Sequence, residues 1–405
     1  MTHEIRPIVP EEFEAFAAAA ATAFGNPTSA EHQERERHIY EFDRSLAVFD
    51  GEEIVGTTGI YSFDLTVPGG ALPAAGVTWV SVKPTHRRRG VLSSMMQRQL
   101  SDVRERGEVI AALWASESII YGRFGYGIAA HGAELRIERD HTALAPGETP
   151  TGRCRLVSRE EALSSWPTVY DRALPTQPGM YSRSQAWWEH KTLRNVEHGE
   201  PPGARFFVQY EEDGQPLGFA RYRVKVDGRD GIPYSTLYVS DLIATTGAAY
   251  RALWQYLFGV DLIGVIEAGR RHVDEPLVWM LTDPRRLLRR VQDRLWVRVI
   301  DVAGALEARR YAAEGRVVFN VKDAFCSWNE GRYELEGGPD GARCKRSDAT
   351  AEVTLAAADL GAAYLGGTSL RTLARAGRVG GDARALARAD AMFSWHPRPW
   401  CPEVF

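Results

Sequence analysis

Cysteine is scarce in this chain and too widely spread for a close-spaced zinc or dithiol motif. The four cysteines among 405 residues, Cys154, Cys326, Cys344 and Cys401, form no C-x-x-C pair. Structural zinc sites and thioredoxin-like redox motifs use such close pairs, so both classes are disfavoured. The spacing favours unpaired thiols in a reducing compartment, and we predict no metal site.

The chain also lacks an excess of positive charge and any long apolar run. The formal net charge is −4, which disfavours a general nucleic-acid or anionic-membrane surface. No stretch approaches the roughly 18 apolar residues that a membrane span requires. The opening residues, MTHEIRPIVPEEFEAF, are acidic where a secretory signal needs a basic start and an apolar stretch. We therefore predict a cytoplasmic protein that binds neither nucleic acid nor membrane.

The length of 405 residues exceeds what one hydrophobic core usually serves, so two or three domains are expected. In the first domain, assigned to residues 1–145, apolar side chains recur at helical spacing over residues 10–24. Residues 46–67 predict a strand, an Asp-Gly turn and a second strand. The predicted class is α/β, with further strands at 77–82, 107–116 and 131–140 and a helix at 91–106.

The second domain, residues 146–298, repeats the element order of the first after a Pro-, Gly- and Thr-rich linker at 141–152. It has strand, Asp-Gly turn and strand at 206–226, then a helix at 245–260, and a later strand is predicted at 272–281. Where the first copy reads RRRGV, the second reads TTGAA. We interpret it as a degenerate copy of one α/β unit that has lost an anion site. Residues 299–405, with short strands and an Ala-rich helix, form a third domain.

One short loop holds three adjacent cations where a helix is predicted to begin, in the stretch WVSVKPTHRRRGVLSSMM. A helix N-terminus offers unpaired N–H groups and a partial positive charge. Arg87, Arg88 and Arg89 add charge-assisted donors that suit phosphates, and Gly90 lets a ligand approach the backbone closely. The pattern predicts a pyrophosphate site that is neither a Walker loop nor a dinucleotide fingerprint. The alternative is a solvated basic turn.

This stretch resembles motif A of the GCN5-related N-acetyltransferases (GNAT), whose R/Q-x-x-G-x-G/A loop holds the pyrophosphate of coenzyme A. The loop here reads RRRGVL, and Leu92 departs from the usual small last residue. RRRGVL, the segment SESIIYGRFGYG and the aromatic C-terminal end are similar to the enhanced-intracellular-survival (Eis) branch. The resemblance covers essentially the whole chain. It implies tandem GNAT folds, the first active and the second degenerate, and a C-terminal domain like a sterol carrier protein.

The resemblance also implies acetyl-CoA as the cosubstrate and assigns residues to it. Backbone groups of Val80, Ser81 and Val82 would contact the acetyl carbonyl and the pantetheine amides, where donors to a developing oxyanion matter most. Ser116 and Glu117 would lie near the thiol end. The pyrophosphate would be held by the loop and the first helical turn, which comprise Arg87, Arg88, Arg89, Gly90, Val91, Leu92 and Ser93.

A tyrosine is the predicted general acid. A phenol with a reference pKa near ~10 is protonated at neutral pH and can donate to a thiolate whose thiol has a pKa of about 8.5. Tyr121 and its rival Tyr126 both lie in SESIIYGRFGYG, and the resemblance matches the first of them. Alternatively, either ring is a packed aromatic with a locally satisfied hydroxyl.

For the general base, the resemblance implies the α-carboxylate of Phe405. An ordinary α-carboxyl pKa of about 3.3–3.7 makes a poor base in water, but burial among aromatic residues would raise it. The alternative is that Phe405 is only an apolar anchor.

The branch acetylates primary amines of polyamines, aminoglycosides and lysine side chains, and assembles as hexamers. The resemblance therefore implies an N-acetyltransferase for amine-bearing small molecules or protein lysine, which forms a homohexamer. Phe24, Trp79, Asp301 and Glu403 are candidate contacts for such polycations.

Trp187 and Trp188 could line the acceptor pocket, although an amphipathic packing helix is the preferred interpretation.

The competing class of function is a lipid carrier or scaffold that works through the C-terminal domain. The intact arginine loop argues against it.

Overall fold

The structure is a computed structural model and describes residues 3–26, 29–194 and 203–405. The chain divides into two units. The first comprises Met1–Ala130, Arg294–Pro399 and Val404–Phe405, and the second comprises His131–Asp293 with Trp400–Glu403. Within the described ranges, no helix has the length and apolar character needed to cross a membrane.

The N-terminal part of the first unit contains the predicted hairpin and the predicted motif helix. The hairpin turns at Asp50 and Gly51, where Gly51 adopts a φ of 63°, and the motif helix begins at Val91. The strands are β1 (Glu4–Arg6), β2 (Leu46–Asp50), β3 (Glu53–Val67), β4 (Gly70–Val82), β5 (Ile110–Trp114) and β6 (Gly127–Ile128). The helices are α1 (Phe13–Phe24), α2 (Ala30–Arg37), α3 (Val91–Glu105) and α4 (Ser118–Tyr121).

The second unit has nine strands and four α-helices in its described residues. The strands are β7 (His131–Glu138), β8 (Arg153–Val157), β9 (Arg205–Glu212), β10 (Gln215–Lys225), β11 (Gly228–Arg229), β12 (Ile232–Pro233), β13 (Ser235–Ala244), β14 (Ile263–Arg271) and β15 (Leu288–Asp293). The helices are α5 (Arg159–Ala173), α6 (Gln185–Trp187), α7 (Gly247–Gly259) and α8 (Leu277–Met280). The strand predicted at 272–281 is wrong, because Pro276 caps the short helix α8 and the strand β14 lies earlier.

The C-terminal part of the chain returns to the first unit. Its strands are β16 (Leu295–Val299), β17 (Gly315–Lys322), β18 (Gly331–Gly338), β19 (Gly341–Arg346), β20 (Val353–Ala356) and β21 (Gly380–Gly381). Its helices are α9 (Val302–Glu307), α10 (Ala357–Tyr364), α11 (Leu370–Arg375) and α12 (Ala383–Phe393). Five strands form one sheet in the order β19-β18-β17-β20-β21.

The two seven-stranded sheets share one topology, which confirms the predicted repeat. The first has the order β1-β2-β3-β4-β5-β16-β6, and the second has the order β15-β7-β14-β13-β10-β9-β8. In each sheet, an antiparallel pair of strands is followed along the chain by a parallel pair, and a helix connects the two parallel strands. The parallel pair is β4 and β5 around α3 in the first sheet, and β13 and β14 around α7 in the second.

Two strands belong to the sheet on the other side of a predicted domain boundary. Strand β7, which the sequence analysis placed at the end of residues 1–145, lies in the second sheet and pairs with β14. Strand β16, placed at the end of residues 146–298, lies in the first sheet and pairs with β5. The alternating pattern predicts a strand at residues 131–140, but it does not specify the partner. Leu135 and Ile137 are buried in the core of the second unit.

Helix α3 is held on the first sheet by one apolar face. Met95, Met96, Leu100 and Val103 recur at helical spacing and are buried. This face packs on β4 and β5. The packing keeps the N-terminus of α3 near the end of β4.

Candidate active site

Strand β4 carries a bulge where the predicted acetyl-binding residues lie. The pairing of β4 with β3 shifts register at Thr58. Two residues of β4, Trp79 and Val80, lie opposite this single residue of β3. Trp79 has a φ of 55°, in the left-handed region that is strained for a bulky residue. Such a bulge bends a strand and re-aims its backbone groups.

Side chains from β3 and α3 fix this bulge. Thr57 Oγ1 donates to the Trp79 carbonyl at 2.7 Å and lies 2.7 Å from Oγ of Ser81. Beside it, Thr58 Oγ1 accepts a hydrogen bond of 2.8 Å from Nε2 of Gln99, a buried residue of α3. The conformation of the bulge is therefore held by hydrogen bonds from neighbouring elements.

From Thr78 onwards, β4 and β5 separate. Their parallel pairing joins residues 74–77 to residues 110–113, whereas β4 continues to Val82 with no β5 partner in the described part of the chain. The backbone edge of β4 from Thr78 to Val82 is thus open to a ligand that offers its own donors and acceptors.

The loop after β4 presents the N-terminus of α3 without a side-chain cap. Arg88 and Gly90 both have left-handed backbone, with φ of 63° and 84°. Gly90 is the N-cap residue and no side chain caps the helix, so its first N–H groups are left for other acceptors. A Cβ placed on Gly90 would meet no heavy atom within 4 Å, which means that the space in front of the helix is open.

The three arginines of the loop have different environments. Arg87 donates through Nε to the Val82 carbonyl at 3.2 Å and through Nη2 to the Ala23 carbonyl at 2.8 Å. Arg88 lines the adjacent cavity and has no side-chain partner among the described residues. Arg89 is exposed and does not line it. Arg87 braces the loop, while the Arg88 guanidinium is available to an anion.

His86 ties the loop to the β2–β3 turn and also lines the cavity. Its Nε2 lies 3.1 Å from Oδ2 of Asp50, and its Nδ1 lies 2.8 Å from Oγ1 of Thr85. No role was predicted for this buried residue from the sequence.

A cavity of about 690 Å³ lies at the open end of β4, the loop and α4. Every predicted cofactor residue except Arg89 lines it: Val80, Ser81, Val82, Arg87, Arg88, Gly90, Val91, Leu92, Ser93, Ser116 and Glu117. It is also lined by Ala23, Ile120 and Arg123, which the sequence analysis did not assign. Ile120 and Arg123 are close to Tyr121 in SESIIYGRFGYG, so this segment of the sequence could have indicated them. Ala23 lies at the end of α1 and gave no such signal.

The two tyrosines of the turn after β5 have different surroundings. Tyr121 lines the cavity and Tyr126 does not. Tyr126 is fully buried, and its hydroxyl has no hydrogen-bond partner in the part of the chain that the structure describes. The two rings meet edge to face with centroids 6.0 Å apart. Burial raises the pKa of Tyr121, and a hydrogen bond with Ser116 only partly opposes this, so the phenol keeps its proton well above neutral pH.

The predicted aromatic substrate contacts differ in position. Phe24 is 54% exposed and lines the cavity. Trp79 does not line it. Its ring packs against Phe13 and Phe16 at centroid distances of 6.1 and 6.0 Å, and its Nε1 donates to the Tyr61 hydroxyl at 3.3 Å.

The two predicted acidic contacts both have local partners in the structure. Asp301 caps α9, where its Oδ1 accepts a hydrogen bond of 3.1 Å from Ala303 N, and it does not line the cavity. Glu403 Oε2 lies 3.0 Å from Nε of Arg183, and Glu403 accepts a hydrogen bond of 2.9 Å from Trp187 Nε1. Burial would raise the pKa of Glu403, but Arg183 and these hydrogen bonds outweigh it and lower the pKa. Its carboxylate is already neutralised within the second unit.

Replacing Glu403 with glutamine should destabilise the protein by about 3 kcal/mol, because the fully buried Arg183 would lose a charge partner. The lowered pKa of Glu403 makes its contribution present above the unfolded value of about 4.3, and the contribution is lost as pH falls through the folded value. The free energy of unfolding should therefore fall less in the variant than in the wild type below about pH 4. Glu160→Gln, an exposed change on α5, is the control. Equal stability of Glu403→Gln and wild type at neutral pH would contradict the prediction.

Phe405 is buried in the first unit. Its ring packs on Phe63 of β3 at a centroid distance of 5.1 Å and an angle of 66°. Trp187 and Trp188 are buried in the second unit, where Trp188 joins the aromatic core around Trp166, as the packing interpretation predicts.

The corresponding helix of the second copy is capped by its own side chain. Thr246 Oγ1 accepts a hydrogen bond of 3.1 Å from Ala249 N at the start of α7. This bond occupies a donor that is left uncapped in α3, and the loop TTGAA supplies no arginine. The second copy thus lacks both components of the anion site.

The bulged strand beside an uncapped, arginine-bearing helix N-terminus defines an acetyltransferase of the GNAT class. Family models described as acetyltransferase (GNAT) domains match residues 4–129 and 179–299, and one described as a sterol carrier protein domain matches residues 302–402.

Relatives that match nearly the whole chain identify the family within the GNAT class. An uncharacterized N-acetyltransferase of Streptomyces avermitilis is 43% identical over 100% of both chains. N-acetyltransferase Eis of Mycobacterium tuberculosis is 37% identical over 93% of this chain and 92% of its own. The crystal structure of Eis1 from Mycobacterium abscessus aligns with a TM-score of 0.85 at 34% identity, over 99% of this chain and 100% of that one. The chain belongs to the Eis family of GNAT N-acetyltransferases.

Proposed function

We propose that this N-acetyltransferase uses acetyl-CoA and transfers the acetyl group to primary amines of polycationic molecules such as aminoglycosides. The observation that carries the proposal is the convergence of three features on one cavity. They are an uncapped helix N-terminus, the guanidinium of Arg88, which has no partner among the described residues, and the open edge of β4. These features offer hydrogen-bond donors for an anion at one end of the cavity and backbone partners for amides along one side. This arrangement matches a diphosphate followed by a pantetheine arm.

The residues present fit coenzyme A. Arg88 and the first N–H groups of α3 would hold the diphosphate, since both lack partners among the described residues. The open backbone from Val80 to Val82 would pair with the pantetheine amides. The bulge at Trp79 and Val80 would direct a backbone N–H towards the acetyl carbonyl, where a donor stabilises the developing oxyanion. The bound cosubstrate supplies the thioester.

Tyr121 is the proposed general acid. It lines the same cavity as Ser116 and Glu117, and the raised pKa keeps its proton available for the departing thiolate. The α-carboxylate of Phe405 is the proposed general base for the attacking amine. The Phe405 ring is buried against Phe63, which anchors the residue that carries this carboxylate.

Replacing Arg88 with alanine should raise the KM for acetyl-CoA about tenfold or more and change kcat little. A charge-assisted hydrogen bond to a phosphate contributes about 1.5–3 kcal/mol to bound substrate and transition state alike. Steady-state kinetics with acetyl-CoA as the varied substrate measure the effect.

Arg89→Ala is the matched control, because Arg89 is exposed in the same loop but does not line the cavity. Its KM should stay within about twofold of wild type. An unchanged KM in Arg88→Ala would remove Arg88 from the diphosphate site.

A thiol-release assay tests the acceptor class. Acetyl-CoA is supplied with aminoglycosides, linear polyamines or lysine-containing peptides, and kcat/KM is compared across the panel. We expect aminoglycosides to give the highest values. Preference for lysine peptides or polyamines would select those amines as the acceptor instead. No turnover with any amine, together with lipid bound to the purified protein, would favour a lipid-binding scaffold.

We further propose a homohexamer, as in the branch that the sequence resembles. Light scattering coupled to size-exclusion chromatography should give a mass six times that of the chain, and a monomeric or dimeric mass would contradict it.

A further inference from the structure

The turn that carries Tyr121 is shaped by local bonds. It spans residues 118–127 and contains α4, a 3-10 turn at Gly122–Phe124 and Gly125 with a φ of 85°. Tyr126 N donates to the Tyr121 carbonyl at 3.3 Å, and Gly125 N donates to the Gly122 carbonyl at 3.1 Å. These bonds define the form of the turn, but its placement depends on what packs against it.

A buried ion pair lies directly against this turn. Arg298 of β16 is completely buried, and its Nη2 lies 2.6 Å from Oδ2 of Asp323, which belongs to the C-terminal domain. A Cβ placed on Gly125 would be 2.5 Å from Nη1 of the same guanidinium. The backbone at Gly125 therefore rests on Arg298, and the position of Arg298 depends on Asp323.

Asp323 is itself held by neighbouring groups of the C-terminal domain. Its Oδ1 accepts a hydrogen bond of 3.0 Å from Cys326 N, and its Oδ2 accepts one of 3.2 Å from Nδ2 of Asn329. Nδ2 of Asn329 also donates to the Val299 carbonyl at 3.1 Å. The carboxylate therefore meets Arg298 in a fixed orientation.

Two packing contacts from the same domain complete the support. Phe325 packs on Phe124 of the turn, with ring centroids 4.9 Å apart and an interplanar angle of 63°. Helix α10 touches the end of the turn backbone to backbone, since a Cβ placed on Gly127 would lie 1.8 Å from the Ala358 carbonyl oxygen. The C-terminal domain thus contacts the turn directly at Phe124 and Gly127, and acts on Gly125 through Arg298.

We propose that the C-terminal domain holds the general acid in place, with Arg298, Asp323 and Phe325 as positioning residues for Tyr121. The inference rests on the proposed role of Tyr121 as the acid. It gives the sterol-carrier-like domain a task in the reaction that requires no lipid. A stability role alone is a weak explanation of the ion pair, because well-packed apolar residues often replace such pairs at no cost.

The test compares Asp323→Asn and Phe325→Ala, each alone and combined with Tyr121→Phe. Each single change should lower kcat about ten- to a hundredfold through misplacement of the phenol, with the KM for acetyl-CoA within about twofold of wild type. In the Tyr121→Phe background neither change should lower kcat further, because there is no phenol hydroxyl left to position.

Met392→Ala is the matched control for general loss of stability. Met392 is fully buried in the C-terminal domain, and this variant should lower the melting temperature while leaving kcat near wild type. Should Asp323→Asn fail to fold, Phe325→Ala alone decides the matter, since Phe325 is only partly buried.

Two outcomes would overturn the proposal: wild-type kcat in the single variants, or the same proportional loss with and without the Tyr121 hydroxyl. Wild-type kcat in Tyr121→Phe alone would instead overturn the assignment of the acid. The two failures are therefore distinguishable.

Discussion

Tyr121→Phe is expected to lower kcat by about two to three orders of magnitude, because the departing thiolate loses its proton donor. The ring stays, so the packing around it and the KM for acetyl-CoA should change little. The raised pKa of Tyr121 keeps the phenol protonated as pH rises past neutrality. Wild-type kcat should therefore show no loss attributable to this group up to about pH 9. Initial rates of thiol release across pH measure both effects.

Tyr126→Phe is the matched control from the same turn. The Tyr126 hydroxyl is buried, does not reach the cavity, and has no hydrogen-bond partner in the described ranges. Removing an unsatisfied buried hydroxyl leaves no partner stranded, so stability and kcat should stay close to wild type. A large loss of kcat in Tyr126→Phe with an active Tyr121→Phe would reverse the assignment of the acid.

The sequence was most informative where function depends on local backbone. A strand, three arginines, a glycine and an amphipathic helix predicted the loop, and α3 begins at Val91 in the structure. The repeat was visible because both copies place an Asp-Gly turn and a helix in the same order. The separate task of Arg87 was not visible, since its partners are the carbonyls of Val82 and Ala23, and Ala23 is far away in sequence.

Features that depend on tertiary partners escaped the sequence analysis. Alternating apolar residues predicted a strand at 131–140, but its pairing with β14 follows from the packing of Leu135 and Ile137 in the second core. The bulge at Trp79 follows from hydrogen bonds made by Thr57, and Thr57 carries no signal of its own. An acid near the end of the chain suggested a site for cations, whereas Glu403 meets the buried Arg183.

Adding a single glycine after Phe405 should lower kcat about a hundredfold, while the melting temperature stays near that of wild type. The Phe405 ring can remain on Phe63, but the extra residue carries the carboxylate about 3.8 Å further along the chain. A general base must lie within hydrogen-bond reach of the proton that it removes, directly or through one water. A displacement of this size breaks a direct hydrogen bond and misplaces a water-bridged one. The measurement is kcat with saturating acetyl-CoA and amine, because the loss should appear in the chemical step.

Two companion variants separate the carboxylate from the ring. A glycine added before Met1 leaves Phe405 unchanged and should leave kcat unchanged. Phe405→Ala keeps an α-carboxylate at the same chain position but removes the contact with Phe63, so it should lose stability and retain more activity than the extended chain. The ranking follows from the role of each group: the ring anchors and the carboxylate takes the proton. If the extended chain is fully active while Phe405→Ala is inactive, the ring is the functional group and the base must be sought among other carboxylates.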